Sequence, residues 1–264
     1  MTMKICSIAS GSSGNCIYVE SGKTKVLIDA GLSGKRITQG LGQIGVDGED
    51  LDGILITHDH SDHVKGVGIL SRKYNIPIYS NVSTWEEIKQ KMGKINPEHI
   101  QHFQSNKSFD IKDFHIKPFP TSHDACDSVG FCLYGNNKKI SIATDLGYIS
   151  KDILEELTGS DMVILEANHD EEMLKVGPYP WYLKKRILGE QGHLSNESAG
   201  NALVKLVEKG LKKVLLAHLS KENNFPELAY QTVYNILQEN KININKDIAL
   251  DIASREQISA LYCL

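Results

Sequence analysis

The chain has 264 residues, 41% hydrophobic and 23% charged, enough for one large domain with a sizeable core. Twenty-nine basic against thirty-three acidic residues leave a formal charge of −4, so no global basic surface advertises a nucleic-acid partner. No apolar run approaches the ~18 residues of a membrane span, and five cysteines without a C-x-x-C pair argue against a secreted disulfide scaffold. The apolar run at residues 5–9 is shorter than the ~7–15 residues of a secretory signal core, so a cytoplasmic protein is the default expectation.

In chain order, short runs rich in Ile, Val and Leu predict strands at residues 4–10, 16–21, 25–29 and 53–57. A helix is expected at 62–74, a strand at 76–80 and a helix at 83–92. Strands follow at 115–120, 129–135 and 139–144, then a helix at 151–157 and a strand at 162–166. Helices at 180–189 and 196–209, a strand at 213–217, a helix at 226–239 and a strand at 247–253 complete the chain. No linker or repeat divides it, so a single domain over residues 1–264 is expected, of α/β (α+β) class with a sheet-rich core and outer helices.

Five apolar strands end in residues that bind metals. Gly53–Thr57 runs into His58-Asp59-His60-Ser61-Asp62-His63, and the later strands end in His123, Asp145, Glu166 and His218. His58 and His60, two residues apart, can reach one ion from an extended segment. Asp62 and His63 begin the next helix, with Ser61 as a candidate N-cap, and a helix N-terminus favours the carboxylate and an uncharged imidazole. Imidazole and carboxylate together suit zinc, with manganese or iron as alternatives. Seven candidates (His58, His60, Asp62, His63, His123, Asp145 and His218) exceed one closed site, so two ions are expected. Isolated His99, His102 and His115 read as surface residues, and Cys126 as a small buried thiol. Asp59, Asp124 and Asp170 are candidates for orienting ligand imidazoles.

H-x-H-x-D-H at 58–63, followed by His123, Asp145 and His218, resembles the metallo-β-lactamase superfamily. The resemblance implies an αβ/βα four-layer sandwich with a dinuclear site: His58, His60 and His123 on one ion, Asp62, His63 and His218 on the other, Asp145 bridging. Exported β-lactamases of this fold commonly carry Cys where this chain has Asp145. Glu166 with Gly192-His193-Leu194-Ser195 is similar to segments of the transfer-RNA 3′-processing nucleases, in which such a histidine, supported by the glutamate, assists the leaving oxygen. Over the whole chain, Ser7–Asn15, the 166–170 segment, 192–196 and His218-Leu219-Ser220-Lys221-Glu222-Asn223-Asn224 resemble the YycJ/WalJ group of bacterial exonucleases.

That resemblance implies 5′→3′ exonuclease action on DNA, with a metal-bridging hydroxide as nucleophile, Asp62 orienting it, and His193 held by Glu166 as proton donor. A transfer-RNA-type processing nuclease and a small-substrate metallo-hydrolase (thioester, lactone or cyclic phosphodiester) are the alternatives. Three further segments carry two readings each. The Ser10–Asn15 loop can turn N–H groups toward a phosphate or the metal site, or simply join two strands. Gly177-Pro178-Tyr179-Pro180-Trp181-Tyr182-Leu183-Lys184-Lys185-Arg186 can stack bases and hold phosphates, or form a Pro-started helix that packs Leu183, Ile187 and Leu188 beneath a solvated basic face. Asn223 and Asn224 can touch substrate or form a turn.

Overall fold

A computed structural model of the chain describes residues 2–264. Along it run β1 (Met3–Ala9), β2 (Cys16–Ser21), β3 (Thr24–Ile28), α1 (Gly34–Gln43), β4 (Gly53–Leu55), α2 (Ser61–Val64), α3 (Val67–Tyr74), β5 (Ile78–Ser80), α4 (Val82–Ile88), β6 (Ile100–His102), β7 (Phe109–Ile111), β8 (Phe114–Pro120) and β9 (Val129–Gly135). They are followed by β10 (Lys138–Ala143), α5 (Lys151–Leu157), β11 (Met162–Glu166), α6 (Glu171–Val176), α7 (Trp181–Ile187), α8 (Asn196–Glu208), β12 (Lys213–Ala217), α9 (Pro226–Glu239), β13 (Ala249–Ile252) and β14 (Tyr262–Cys263). The residues cluster into two compact units. One holds the chain to Pro120 with Ala125–Lys138 and Ser254–Leu264, the other Thr121–Asp124 and Lys139–Ala253.

The first unit contains a sheet of order β14-β1-β2-β3-β4-β5-β6, antiparallel as far as β3 and parallel beyond it. Alternation on its strands puts Cys6, Ile8, Tyr18, Leu27, Ile54 and Ile78 into one core, which Ile56 just past β4 joins. Ile37 and Leu41 of α1, Val67 and Leu70 of α3, and Trp85 and Ile88 of α4 join the same core. An antiparallel set β7-β8-β9 completes the unit.

Two expectations change here. Before residue 62 only strands are expected, yet α1 forms across residues whose three glycines lower helix propensity. Ser33 caps it, and Gly40 lies so close to β1 that an added Cβ would come within 2.6 Å of Ile8. Nor is 62–74 one helix. It breaks between α2 and α3 at Gly66, whose N–H donates to the Ala30 carbonyl at 2.7 Å and where a Cβ would sit 2.4 Å from the Leu32 carbonyl. His60, rather than Ser61, is the residue preceding α2. The short strands β6, β7 and β14 and the helix α6 were not foreseen from periodicity, because two to six residues carry too few repeats to show one.

In the second unit β10, β11, β12 and β13 run parallel, with Ile140 opposite Met162, Val163 opposite Val214 and Val214 opposite Leu250. All five residues of β11 are buried, as expected of a strand covered on both faces. Helix α8 packs on α9 through Gly200, where a Cβ would meet Ile236 at 2.7 Å. Three neighbouring parallel strands therefore deliver Asp145, Glu166 and His218 to one carboxyl edge, the edge where open α/β sheets place ligands. Among the described residues, no helix is long and apolar enough to cross a membrane.

Candidate active site

In the first unit the 58–63 segment is tied down by backbone. Asn15 N–H donates to the Asp62 carbonyl, Ala30 N–H to the His63 carbonyl, and Gly31 N–H to the Asn15 carbonyl, each at 2.8 Å. Gly31 is required for this approach, since a Cβ there would lie 1.6 Å from the Asp62 carbonyl oxygen. The rings of His58 and His60 meet edge to face at 4.7 Å, and those of His58 and His63 lie 4.1 Å apart.

Hydrogen bonds around these rings set their tautomers. Asp29, buried at the end of β3, accepts from the Thr57 N–H at 2.9 Å, the Thr57 hydroxyl at 2.8 Å and His63 Nδ1 at 2.7 Å. The Thr57 hydroxyl donates its one hydrogen to the Asp29 carboxylate, so at 2.9 Å it accepts from His58 Nδ1. Both imidazoles thus direct a lone pair through Nε2, the form a metal requires. Asn15 is oriented by Gly11 N–H on its Oδ1, and its Nδ2 approaches His63 Nε2 at 2.9 Å and Asp62 Oδ2 at 3.3 Å.

In the second unit, one ligand atom from each of Asp145, Glu166, His193 and His218 lies within 4.8 Å of those of the others. Glu166 is fully buried. Its Oε1 accepts from His193 Nδ1 and His218 Nδ1, both at 2.8 Å, and its Oε2 from the N–H groups of Leu146 and Leu194 at 3.0 and 3.2 Å. Burial alone would raise its pKa, but the charge and hydrogen bonds of His193 and His218 hold it far below the carboxylate range. His193 answers in kind: burial pulls it down, and the Glu166 charge and hydrogen bond outweigh that and hold it above the ordinary imidazole value. His123 donates from Nδ1 to the Gly192 carbonyl at 3.0 Å, and burial lowers its pKa, so it stays neutral with Nε2 as its lone-pair nitrogen. Asp145 Oδ1 stands 3.4 Å from His218 Nδ1 and 3.7 Å from His123 Nε2.

Asp29, Asp145 and His218 all adopt left-handed backbone, with φ of 61°, 58° and 55°. Such conformations cost free energy for residues other than glycine and concentrate at functional sites. Neutral Nε2 imidazoles, buried carboxylates and strained positions at strand ends fit divalent metal ions in chemistry and in protonation.

Each sequence-predicted group falls with its neighbours: His58, His60, Asp62 and His63 in the first unit, and His123, Asp145, Glu166, His193 and His218 in the second. The expected imidazole-orienting acids are different. Asp59 accepts from the Cys126 N–H and Asp170 caps α6, so neither orients a ligand ring, while Asp124 lies 3.5 Å from His123 Nε2 and pairs with Arg186. That task belongs to Asp29, Thr57, Glu166 and the Gly192 carbonyl. Asp29 had a legible signal, since it also ends an apolar strand in an acid. Asn223 and Asn224 are buried; Asn224 donates to the Ala167 and Asn168 carbonyls, which makes it a strut between loops. Cys126 is half-buried rather than buried.

This edge-of-sheet arrangement of imidazoles and carboxylates defines a class, the metallo-β-lactamase fold. A solved structure of the metallo-β-lactamase fold protein YhfI from Bacillus subtilis superposes with a TM-score of 0.75 over the full length of both chains, at 17% identity. Residues 24–219 match the β-lactamase superfamily domain. The chain is 43% identical over 242 residues to the exodeoxyribonuclease WalJ of Streptococcus pneumoniae serotype 2 (strain D39 / NCTC 7466), spanning 91% of this chain and 90% of that one. It is 39% identical over 239 residues to the exodeoxyribonuclease YycJ of Bacillus anthracis, spanning 90% of each. The chain belongs to the metallo-β-lactamase superfamily of hydrolases, and within it to the WalJ/YycJ group.

Proposed function

We propose that this protein is a metal-dependent exonuclease that removes nucleotides from the 5′ end of DNA. The names of its WalJ and YycJ relatives support the substrate class. The observation that carries the reading is Glu166, a buried carboxylate that accepts from His193 Nδ1 at 2.8 Å and so orients the ring and strengthens its hold on a proton. Hydrolysis of a thioester, whose thiolate leaves readily, gains little from such a donor; expulsion of a sugar alkoxide gains about 10²–10⁴-fold.

His58, His60 and His123 would hold one divalent ion and Asp62, His63 and His218 a second, with Asp145 shared. The motif order and family membership support this assignment. Two such ions supply Lewis acidity for the phosphoryl oxygens and an activated water, with zinc as the default and manganese or iron as alternatives. The side chains do the rest. Asp62 orients the attacking water, and Asn15 Nδ2, 3.3 Å from its Oδ2, holds its carboxylate. As the P–O3′ bond breaks, His193 passes its Nε2 proton to the departing O3′, while Glu166 keeps the ring in place through Nδ1. The products are a 5′-nucleotide and a strand with a new 5′-phosphate, ready for the next turn.

Turnover of 5′-phosphorylated duplex DNA, single-stranded DNA, RNA, bis(p-nitrophenyl) phosphate and a thioester, with metal-free controls, tests the reading. Mononucleotide release from the 5′ ends of DNA is expected. Rapid thioester hydrolysis without polynucleotide cleavage would assign a small-substrate hydrolase instead, and selective RNA cleavage a processing ribonuclease.

A further inference from the structure

Helix α7 exposes what a folded chain normally hides. Trp181 is 65% and Tyr182 76% exposed, and among the described residues four of the nine exposed large hydrophobics, with Val176 and Leu188, fall between positions 176 and 188. Singly exposed apolar residues are ordinary, but an exposed Trp–Tyr pair beside two cations is a concentrated feature. The helix is anchored from beneath by Lys184, which turns inward to donate to the Lys175 carbonyl at 2.7 Å, so the basic face is not uniformly solvated. Lys185 instead lies over the Trp181 ring, its Nζ 5.7 Å from the centroid. Arg186 pairs with Asp124, whose other carboxylate oxygen stands 3.5 Å from His123 Nε2. A shallow depression lined by Asp124, Lys185, Arg186, Gly189, Glu190 and Gln191 follows the same path. Within the second unit, an aromatic step therefore leads through two cations to a proposed metal ligand.

Building on the exonuclease reading, we propose that α7 is a stacking platform for single-stranded DNA, with Trp181 and Tyr182 holding unpaired bases and Lys185 and Arg186 their phosphates. Charge and shape select this occupant. Lys185 and Arg186 match a polyanion, and flat exposed rings match base faces. In a duplex those faces are buried between neighbouring pairs, so the platform takes unpaired strand. It supplies strand-state preference, which ions at the catalytic edge cannot provide, because they contact phosphate common to both forms.

The test uses tryptophan fluorescence. Trp85 of α4 is buried, so Trp181 is the tryptophan that a solution ligand can quench. Metal-loaded protein is titrated with a phosphorothioate-linked oligothymidylate, which resists hydrolysis, and with a duplex of equal length, while anisotropy follows binding. Quenching by the single strand is expected, with weaker binding of the duplex. The double variant Trp181→Ala/Tyr182→Ala should lose the quenching and bind the single strand about 5- to 100-fold more weakly. Its hydrolysis of bis(p-nitrophenyl) phosphate, which carries no strand for the platform to hold, should be unchanged. Binding without quenching, equal affinity for single strand and duplex, or equal affinity in the double variant would overturn the platform. So would a parallel loss of bis(p-nitrophenyl) phosphate hydrolysis, which would place α7 within the catalytic centre. Quenching and tight binding without cleavage of any polynucleotide would leave the platform standing and overturn the exonuclease reading instead.

Discussion

Asp29 illustrates how much a single carboxylate can organise. It takes three hydrogen bonds from Thr57 and His63 and fixes two imidazoles in the lone-pair form through them. Asp29→Asn keeps the shape and tolerates the left-handed backbone, yet replaces one acceptor oxygen with a donor. Metal affinity measured by chelator competition should fall about 10- to 100-fold; unchanged affinity would remove Asp29 from the metal-supporting shell. His169 is a different case. It is buried, neither ring nitrogen has a hydrogen-bond partner among the described residues, and burial draws its pKa down to about 4. The unfolded chain, with an ordinary value near 6.5, binds this proton first as pH falls. Stability from His169 is thus complete above pH ~6.5 and lost progressively toward pH ~4, on the order of 3 kcal/mol. Denaturant midpoints across that window should slope less steeply in His169→Gln than in the parent; parallel slopes would show that His169 is not the group responsible.

Loops and caps, more than strands, decide where the chemistry falls. Ser195 caps α8 by accepting from the Ser198 N–H and closes the loop that presents His193. Ser195→Ala should cost about 1 kcal/mol of stability, read as a lower denaturation midpoint. Gly31→Ala forces the Asp62 carbonyl away and should lower both melting temperature and metal content; a variant with normal metal loading would mean that the 58–63 segment tolerates the shift. The strands that end in ligands were legible because apolar runs of Ile, Val and Leu stop abruptly at His, Asp or Glu. Helix α1 was not, since its glycines lower local propensity and two of them answer to distant contacts, Gly40 with Ile8 of β1 and Gly34 with Ile69 of α3. The break at Gly66 was hidden for the same reason: its cause is the Ala30 and Leu32 backbone, more than thirty positions away in sequence. Glu166 showed itself as a strand end, but its double hold on His193 and His218 depends on two strands and a loop meeting, which no spacing within one segment encodes.

At the scale of the whole molecule, a formal charge of −4 is compatible with a polyanionic substrate because its acids are placed selectively. Asp29, Asp145 and Glu166 are buried among imidazoles, and Asp124 is matched by Arg186. Elemental analysis should find two divalent ions per chain. Binding to the folded state at a hundred times Kd contributes about 2.7 kcal/mol per ion. Chelation should therefore lower Tm by several degrees or more, at about 2–4 °C per kcal/mol for a chain of this size. A Tm indifferent to chelator would contradict metal binding by the native state. The central claim is that Glu166-held His193 donates the proton to a poor leaving group. It is tested most directly by comparing His193→Ala with the parent on DNA and on bis(p-nitrophenyl) phosphate, whose stable leaving group needs no proton, with metal content checked in both. The account predicts a loss of about 10²–10⁴-fold in kcat on DNA and a change of only about a few fold on the small diester. Equal losses on both substrates, or full activity on DNA, would contradict it.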